Sequence, residues 1–245
     1  MTPVTDSEQI AERTTRSEIL TGLRLSLPAG LGMFPLGVAF GVLVIQHGLP
    51  WWVAPALSFL AYAGSLELLL VGMLVAVTPI ATIALTTFLV NFRHVFYAFS
   101  FPLRTVRGKV ARLYSMYALT DESFAVTAAA PGSWTQPRLL ATQVAFQVYW
   151  VGGGLAGVAL GTLLPGPIAG LEFALCALFV TLTLDACRSR AQVPALVLAG
   201  VAFLLALVLT PGAVLFTALL VFVALLVVRY ALSRGTGRNR ESTDA

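Results

Sequence analysis

The sequence predicts an all-α, polytopic membrane protein with about seven transmembrane helices, and three observations carry that expectation. Residues 192–228 run without one Lys, Arg, Asp, Glu or His, and Thr210-Pro211-Gly212 interrupts the run near its middle. Each half has about the length a bilayer core demands, so the run reads as a helical hairpin with a Pro-Gly turn. Hydrophobic residues make up 58% of the chain and charged residues 11%, with mean hydropathy +0.88, which leaves too little polar surface to cover a soluble core. The apolar pattern also recurs, at 25–45, 53–77, 80–101, 113–130, 139–164, 168–186, 193–209 and 213–228. These stretches outnumber the expected helices, because each span with its turn takes about 25 to 35 residues.

Taken in order, residues 1–23 mix Asp6, Glu8, Glu12 and Glu18 with Arg13 and Arg16. They lack the pattern of a cleavable signal peptide and are expected to form a polar, disordered, cytoplasmic tail. Residues 24–230 are expected to form a single transmembrane domain, and 231–245 a polar, basic tail. The weakest span is 113–130, which carries Asp121 and Glu122 at its centre and is expected to be a broken or re-entrant helix. The net charge of +4 comes from basic residues between apolar runs: Arg104, Arg107, Lys109 and Arg112, then Arg188 and Arg190, then Arg229, Arg234, Arg238 and Arg240. Such tracts report topology and not a nucleic-acid partner. Full crossings by all eight stretches would put the 104–112 loop on the opposite side from the last two clusters, against the positive-inside rule. One re-entrant segment in each half would remove that conflict. Cys176 and Cys187 sit in or beside one apolar run with no His at ligand spacing, so buried thiols are expected and no metal site or cofactor is indicated.

Gly37-Val-Ala-Phe-Gly41 is followed by Gly48-Leu-Pro50 and a new apolar run, and Gly157-Val-Ala-Leu-Gly161 by Leu164-Pro165-Gly166-Pro167 and another. The pair is compatible with two repeats, inverted if an odd number of crossings separates them. Glycines at this spacing also serve simply as close-packing faces.

Charged groups inside apolar runs are costly, so the few present are the candidate functional residues. Ser58, Tyr62 and Ser65 form one polar stripe if 53–77 is a continuous helix, with Glu67 on roughly the opposite face beside Gly64. The small residues there would let another backbone approach. The carboxyl is either a transport group or a hydrogen-bonded link between helices. Asn91, Arg93, His94 and Tyr97 follow a long uncharged run, with Arg93 and Tyr97 at i, i+4 and Asn91 and His94 at i, i+3. Snorkelling to the headgroups is the alternative for Arg93 and Tyr97, although the basic tract at 104–112 already supplies an anchor. Thr120, Asp121 and Glu122 read as a helix start inside an apolar run, which is the mark of a discontinuous membrane helix. Arg93 is expected to pair with Asp121 or Glu122.

At these strings the chain resembles the AzlC family, the large subunits of branched-chain amino acid export permeases. The resemblance rests on Pro28-Ala-Gly30 with Pro35-Leu-Gly37-Val-Ala-Phe-Gly41, on Ser58 to Glu67, and on Asn91-Phe-Arg93-His94 with Tyr97. It continues in Leu119-Thr-Asp-Glu-Ser-Phe124 and in Gly170-Leu-Glu-Phe-Ala-Leu175 with Leu178-Phe179, so it covers about residues 20–230. It implies a multi-pass plasma (inner) membrane exporter of neutral amino acids such as valine, leucine and isoleucine, acting with a small hydrophobic AzlD-type subunit of about four helices. Two positions depart from the family's pattern. Glu67 stands where an amide is common, and Glu172 where an Asp is frequent.

The leading expectation is therefore a secondary transporter subunit with no catalytic residues, whose substrate-binding or coupling candidates are Ser58, Tyr62, Ser65, Glu67, Asn91, Arg93, His94, Tyr97, Thr120, Asp121 and Glu122. No nucleotide-binding motif is present, which favours coupling to an ion or proton gradient. An intramembrane enzyme using Asp121, Glu122 and His94 as acid and base is a different class, weakened by the absence of a nucleophile motif and of metal-ligand spacing. A channel or structural membrane subunit is a third.

Overall fold

In a bilayer a single segment can satisfy its own backbone only as a helix, and among the described residues the chain is helical without a strand. The computed structural model describes residues 6–129, 134–164, 166, 180, 193–210 and 214–241. The helices are α1 (Asp6–Gln46), α2 (Val53–Leu60), α3 (Gly64–Val75), α4 (Ile80–Asn91), α5 (His94–Tyr97), α6 (Lys109–Tyr117), α7 (Asp121–Ala129), α8 (Gln136–Leu163), α9 (Val193–Leu209) and α10 (Val214–Glu241), with a 3-10 turn at Leu103–Thr105. Among the described residues three stretches are long and apolar enough to cross a membrane: Thr14–Gln46, Ile80–Tyr97 and Gln136–Leu163. Gly64–Val75, Val193–Leu209 and Thr217–Ala231 are shorter apolar helices. This is an all-α membrane protein.

Two compact units emerge, residues 1–83 with 90–168, and 84–89 with 169–245. In the second, α9 and α10 pack together, and the Thr210 hydroxyl donates to Thr217 Oγ1 at 2.7 Å where the two helices meet. That is the hairpin the uncharged run predicts. Its Pro211-Gly212 turn lies outside the described residues, as do the 168–186 run, Cys176, Cys187, Glu172, Arg188 and Arg190.

The first unit is built on α1 and α8, whose contact is the largest between any two of the described helices. Glycine makes it possible. A side chain at Gly41 would collide with the Gly154 carbonyl, one at Gly157 with Val38, and one at Gly153 with Phe34, all on backbone atoms. The contacts rise together along both helices: Glu18 to Arg138, Gly22 to Thr142, Gly37 to Gly153, Ile45 to Gly161, Gln46 to Gly166. The two helices therefore run parallel. An inverted repeat would set equivalent helices antiparallel, so the two similar glycine strings form one packing seam and are not inverted copies.

The parallel pair gives the unit two ends. Near the start of α8, the Arg107 backbone N–H donates to Gln136 Oε1 at 2.9 Å. Phe101, Val106, Trp134 and Leu139 are buried together with Leu25 packed against them. The basic loop 104–112 thus sits at the end where α1 and α8 begin. Arg107 therefore lies at the same end as the Glu18–Arg138 ion pair. The chain thus leaves α1 at Gln46, at one end of the α1–α8 pair, and reaches Phe101 at the other. The segment from Lys109 to Ala129 is two helices of nine residues each, broken between Tyr117 and Asp121, and not one continuous helix.

Two expectations about continuity fail as well. The 53–77 stretch is two helices, broken at Ala61-Tyr62-Ala63, and 80–101 is broken at Phe92-Arg93. The stretch 1–23, expected to be a disordered tail, is helical from Asp6, where α1 continues below the seam and Glu18 accepts hydrogen bonds from Thr135 and Arg138.

Candidate functional site

Three breaks, one in each of the pairs α2–α3, α4–α5 and α6–α7, supply the site. At the first, Tyr62 has φ +43°, in the left-handed region that costs an ordinary residue about 1–2 kcal/mol. Ala63 is extended and caps α3. The reversal brings Ser58 and Glu67 together, although a continuous helix would place them on opposite faces. Glu67 is fully buried. Its Oε2 accepts from Ser58 Oγ at 2.7 Å, its Oε1 from the Ala63 backbone N–H at 3.0 Å, and both oxygens from Trp150 Nε1 at 3.0 Å. One carboxyl thereby ties α2, the break and the middle of α8. Gly64 admits the Trp150 indole here, within 2.9–3.3 Å of where a Cβ would stand, and not another backbone as its small size led us to expect.

At the second break, Arg93 and Tyr97 grip one carboxylate. Arg93 Nη2 lies 2.7 Å from Asp121 Oδ2, and Tyr97 Oη donates to Asp121 Oδ1 at 2.9 Å. Arg93 also donates to Ser65 Oγ at 3.1 Å. The expected pairing with Asp121 is formed, and the snorkelling account of Arg93 falls. Tyr97 stacks on Phe124 of α7 with ring centroids 4.3 Å apart, which fixes its hydroxyl over the start of that helix. His94 Nδ1 lies 2.9 Å from the Asn91 carbonyl oxygen. A carbonyl only accepts, so Nδ1 carries the proton and Nε2 is left as an acceptor in the neutral ring.

The third break is held from both sides. Thr120 caps α7 through its hydroxyl, 3.4 Å from the Ser123 N–H. Gln143 of α8 donates to the Ser115 and Ala118 carbonyls, which the end of α6 leaves free, at 2.9 and 3.0 Å. Tyr117 Oη donates to the Phe59 carbonyl at 2.8 Å and accepts from Gln147 Nε2 at 3.1 Å. Glu122 occupies the first turn of α7, partly buried.

A cavity of about 350 Å³ opens where the three breaks converge, a size ordinary for small-molecule sites. Ala61, Tyr62 and Ala63 wall it from the first break, and Asn91, His94 and Ala98 from the second. Met116, Tyr117 and Leu119 close it from the third. Of the sequence-predicted residues, Tyr62, Asn91 and His94 line it. Ser65, Arg93, Tyr97 and Asp121 form the adjoining ion-pair cluster, while Ser58 and Glu67 belong to the Trp150 clasp. Sequence reasoning missed Trp150, Gln143, Gln147 and Tyr117. A signal existed for the first three, since Gln143, Gln147 and Trp150 fall at i, i+4 and i+7 and put one polar stripe on an apolar helix.

The family profile described as AzlC protein matches residues 28–164, more than half of the chain and the part that holds all three breaks. The chain belongs to the AzlC family. Among similar proteins, the branched-chain amino acid transport protein AzlC of Bacillus subtilis is 30% identical over 179 residues, 69% of this chain and 70% of the relative. An uncharacterized membrane protein of Helicobacter pylori is 30% identical over 158 residues, 63% of this chain and 69% of the relative. The inner membrane protein YgaZ of Escherichia coli is 28% identical over 175 residues, 67% and 71% of the two chains. No solved structure matches this AzlC-family chain significantly. Family membership makes the broken-helix region part of a membrane transport protein, and the cavity is bounded by all three breaks.

Proposed function

We propose that this protein is a secondary transporter subunit that exports branched-chain or similar neutral amino acids across the plasma membrane. In this reading it is a multi-pass protein acting with a small hydrophobic subunit and performing no covalent chemistry. The observation that carries the reading is the cavity at the convergence of three broken helices. Interrupted membrane helices expose backbone ends and polar side chains at depth, and the backbone is left irregular there only where it lines a cavity or is covered by protein. The relative named as a branched-chain amino acid transport protein supports the cargo. Without a nucleotide-binding motif, an ion or proton gradient is the natural energy source.

The test is efflux. Cells lacking their own exporters are loaded with a dipeptide containing leucine, isoleucine or valine, and the free amino acid in the medium is followed. Faster loss with this chain and a small subunit together, and with neither alone, is the expected result. Equal efflux with and without the pair, at verified membrane expression, rejects the branched-chain assignment.

A further inference from the structure

A separate cleft of about 420 Å³ opens at the end of the unit where α8 begins, lined by Arg104, Thr105, Arg107, Trp134, Thr135 and Gln136. Its wall offers cations and no acid. Arg104 and Arg107 are exposed, and neither guanidinium has an ion-pair or hydrogen-bond partner among the described residues. Glu18, the acid that reaches this end, is taken by Arg138 at 2.8 Å and by the Thr135 hydroxyl. Gln136 accepts the Arg107 backbone N–H on Oε1 at 2.9 Å, which leaves its amide NH2 as a further donor. Lys109 and Arg112 extend the uncompensated charge into α6. Like charges held around one cleft repel one another, and an anion placed between them turns that repulsion into charge-assisted hydrogen bonds. What adjoins the cleft identifies the anion. α6 starts beside it and descends along α8, as Arg107 meets Gln136, Ser115 meets Gln143 and Tyr114 meets Gln147 near the middle of that helix. Ala111 packs inward against the cluster of Phe101 and Trp134, while Val110 is 83% and Leu113 69% exposed on the outer face. An apolar strip therefore leads from the basic cleft towards mid-depth on the side turned away from the protein. A free phosphate would leave that strip unused, whereas a phospholipid fills both parts, headgroup in the cleft and acyl chain along α6.

We infer that this cleft binds the phosphodiester headgroup of an anionic phospholipid, with Arg104, Arg107 and Gln136 donating to the phosphate and an acyl chain lying on Val110 and Leu113. Trp134 closes the back of the site, at the boundary level where aromatic side chains favour the headgroup region. The cleft is distinct from the cavity at the three breaks, so the inference does not depend on what the protein transports. Each arginine contributes a contact of the size that basic residues make with an anionic lipid surface, and two together give a preference for charged over zwitterionic headgroups of tenfold or more.

The experiment titrates the full-length protein, delipidated in a neutral detergent, and counts bound lipid by native mass spectrometry. The probes are dioleoyl phosphatidylglycerol, which is anionic, and dioleoyl phosphatidylcholine, which has the same chains and phosphodiester but no net charge. Glycerol 3-phosphate, an anion without acyl chains, is added as a competitor. The expected result is a discrete complex with one phosphatidylglycerol, at a Kd about tenfold or more below that for phosphatidylcholine, which millimolar glycerol 3-phosphate does not displace. Arg104→Gln with Arg107→Gln raises the Kd for phosphatidylglycerol by about tenfold or more. Arg104→Lys with Arg107→Lys keeps most of the affinity, and Val110→Ser with Leu113→Ser weakens both lipids alike. Arg238→Gln with Arg240→Gln removes the same charge from the C-terminal segment and leaves the Kd unchanged. Size exclusion verifies that each variant is folded. Equal binding of the two lipids overturns the site, as does an equal loss from the two Arg→Gln pairs, which would reduce it to diffuse surface charge. Displacement of the lipid by glycerol 3-phosphate, or a Kd indifferent to Val110→Ser with Leu113→Ser, overturns the lipid assignment in favour of a free anion.

Discussion

The α1–α8 seam and the three helix breaks lie in the same compact unit and obey opposite rules. Along the seam, Gly37, Gly41, Gly153 and Gly157 bring two uninterrupted helices into backbone contact. No charged side chain enters it between Arg24 and Arg138 on the one helix and its partner. In the broken segments no helix exceeds 12 residues, and these short helices and the breaks between them hold Glu67, Arg93, Asp121 and Glu122. Continuous helices satisfy their own backbones and leave only shape to be matched. Broken ones leave free carbonyls and N–H groups at depth, and only polar side chains can complete them. The seam is a scaffold, and the breaks are where polar chemistry is tolerated.

The largest effect should come from breaking the seam. Gly41→Ala and Gly157→Ala each place a methyl group on partner backbone that has no flexible side chain to move away. Overpacking of a well-packed core costs about 1–3 kcal/mol, and a backbone collision belongs at the upper end or beyond. Both variants should lose most of the monodisperse protein on size exclusion in detergent, and wild-type recovery for both would show that the seam is not what holds the unit together.

Next comes the ion pair. Arg93→Ala or Asp121→Ala leaves the other charge without its partner at a depth where a lone charge costs about 2–3 kcal/mol. Their side chains remain 40% and 42% exposed, so water reaching them reduces that cost, and the protein should fold with transport lost by more than tenfold. Exchanging the two, Arg93→Asp with Asp121→Arg, should recover part of the fold stability but little flux, since Ser65 and Tyr97 are placed for the native arrangement. Full recovery of flux by the exchange would mean that only neutralisation matters there.

The legibility of these regions differed for a physical reason. Apolar periodicity located the helices, the 192–228 hairpin and the Asp121 helix start, because each is written in consecutive residues. The break at Tyr62 was not visible, since Ala61-Tyr62-Ala63 contains neither Pro nor Gly and adopts its turn under tertiary constraint, with Trp150 and Ser58 satisfying Glu67 across it. The orientation of the 104–112 loop was likewise unreadable from counting spans. It depended on which apolar stretches turn back, and Gln136 and Trp134, far along the chain, mark that. The Arg93–Asp121 pair was legible because two costly charges in apolar runs have few ways to be neutralised.

A smaller effect is expected at Glu67. In Glu67→Gln, Oε1 still accepts from Ala63 and Trp150, and the Ser58 hydroxyl can rotate to accept from the new amide instead of donating. The fold should survive with a modest loss, whereas Glu67→Leu orphans three donors and should not yield folded protein. Flux measured across the range on both sides of neutral pH then isolates the proton. A flatter profile in Glu67→Gln than in the parent identifies a coupling or gating proton at this carboxyl. Identical profiles at normal rates make Glu67 a structural clasp and move the search for the coupling group to Asp121 and Glu122.

The smallest effect sharpens the opening contrast by keeping the substitution constant. Gly32 in α1 and Gly72 in α3 are helical glycines with open space where a Cβ would stand. Alanine relieves the entropic penalty of glycine in a helix, which is about 0.5–1 kcal/mol, and meets no neighbour within the chain. Gly32→Ala and Gly72→Ala should therefore leave transport unchanged and hold or slightly raise the unfolding temperature, the opposite sign from Gly41→Ala on the same helix as Gly32. If either variant instead folds normally as an isolated chain but loses flux when the small subunit is present, the open face at that glycine is where the second polypeptide packs. Small residues would then be serving close approach in two places, within the chain at Gly41 and between chains at the glycine affected.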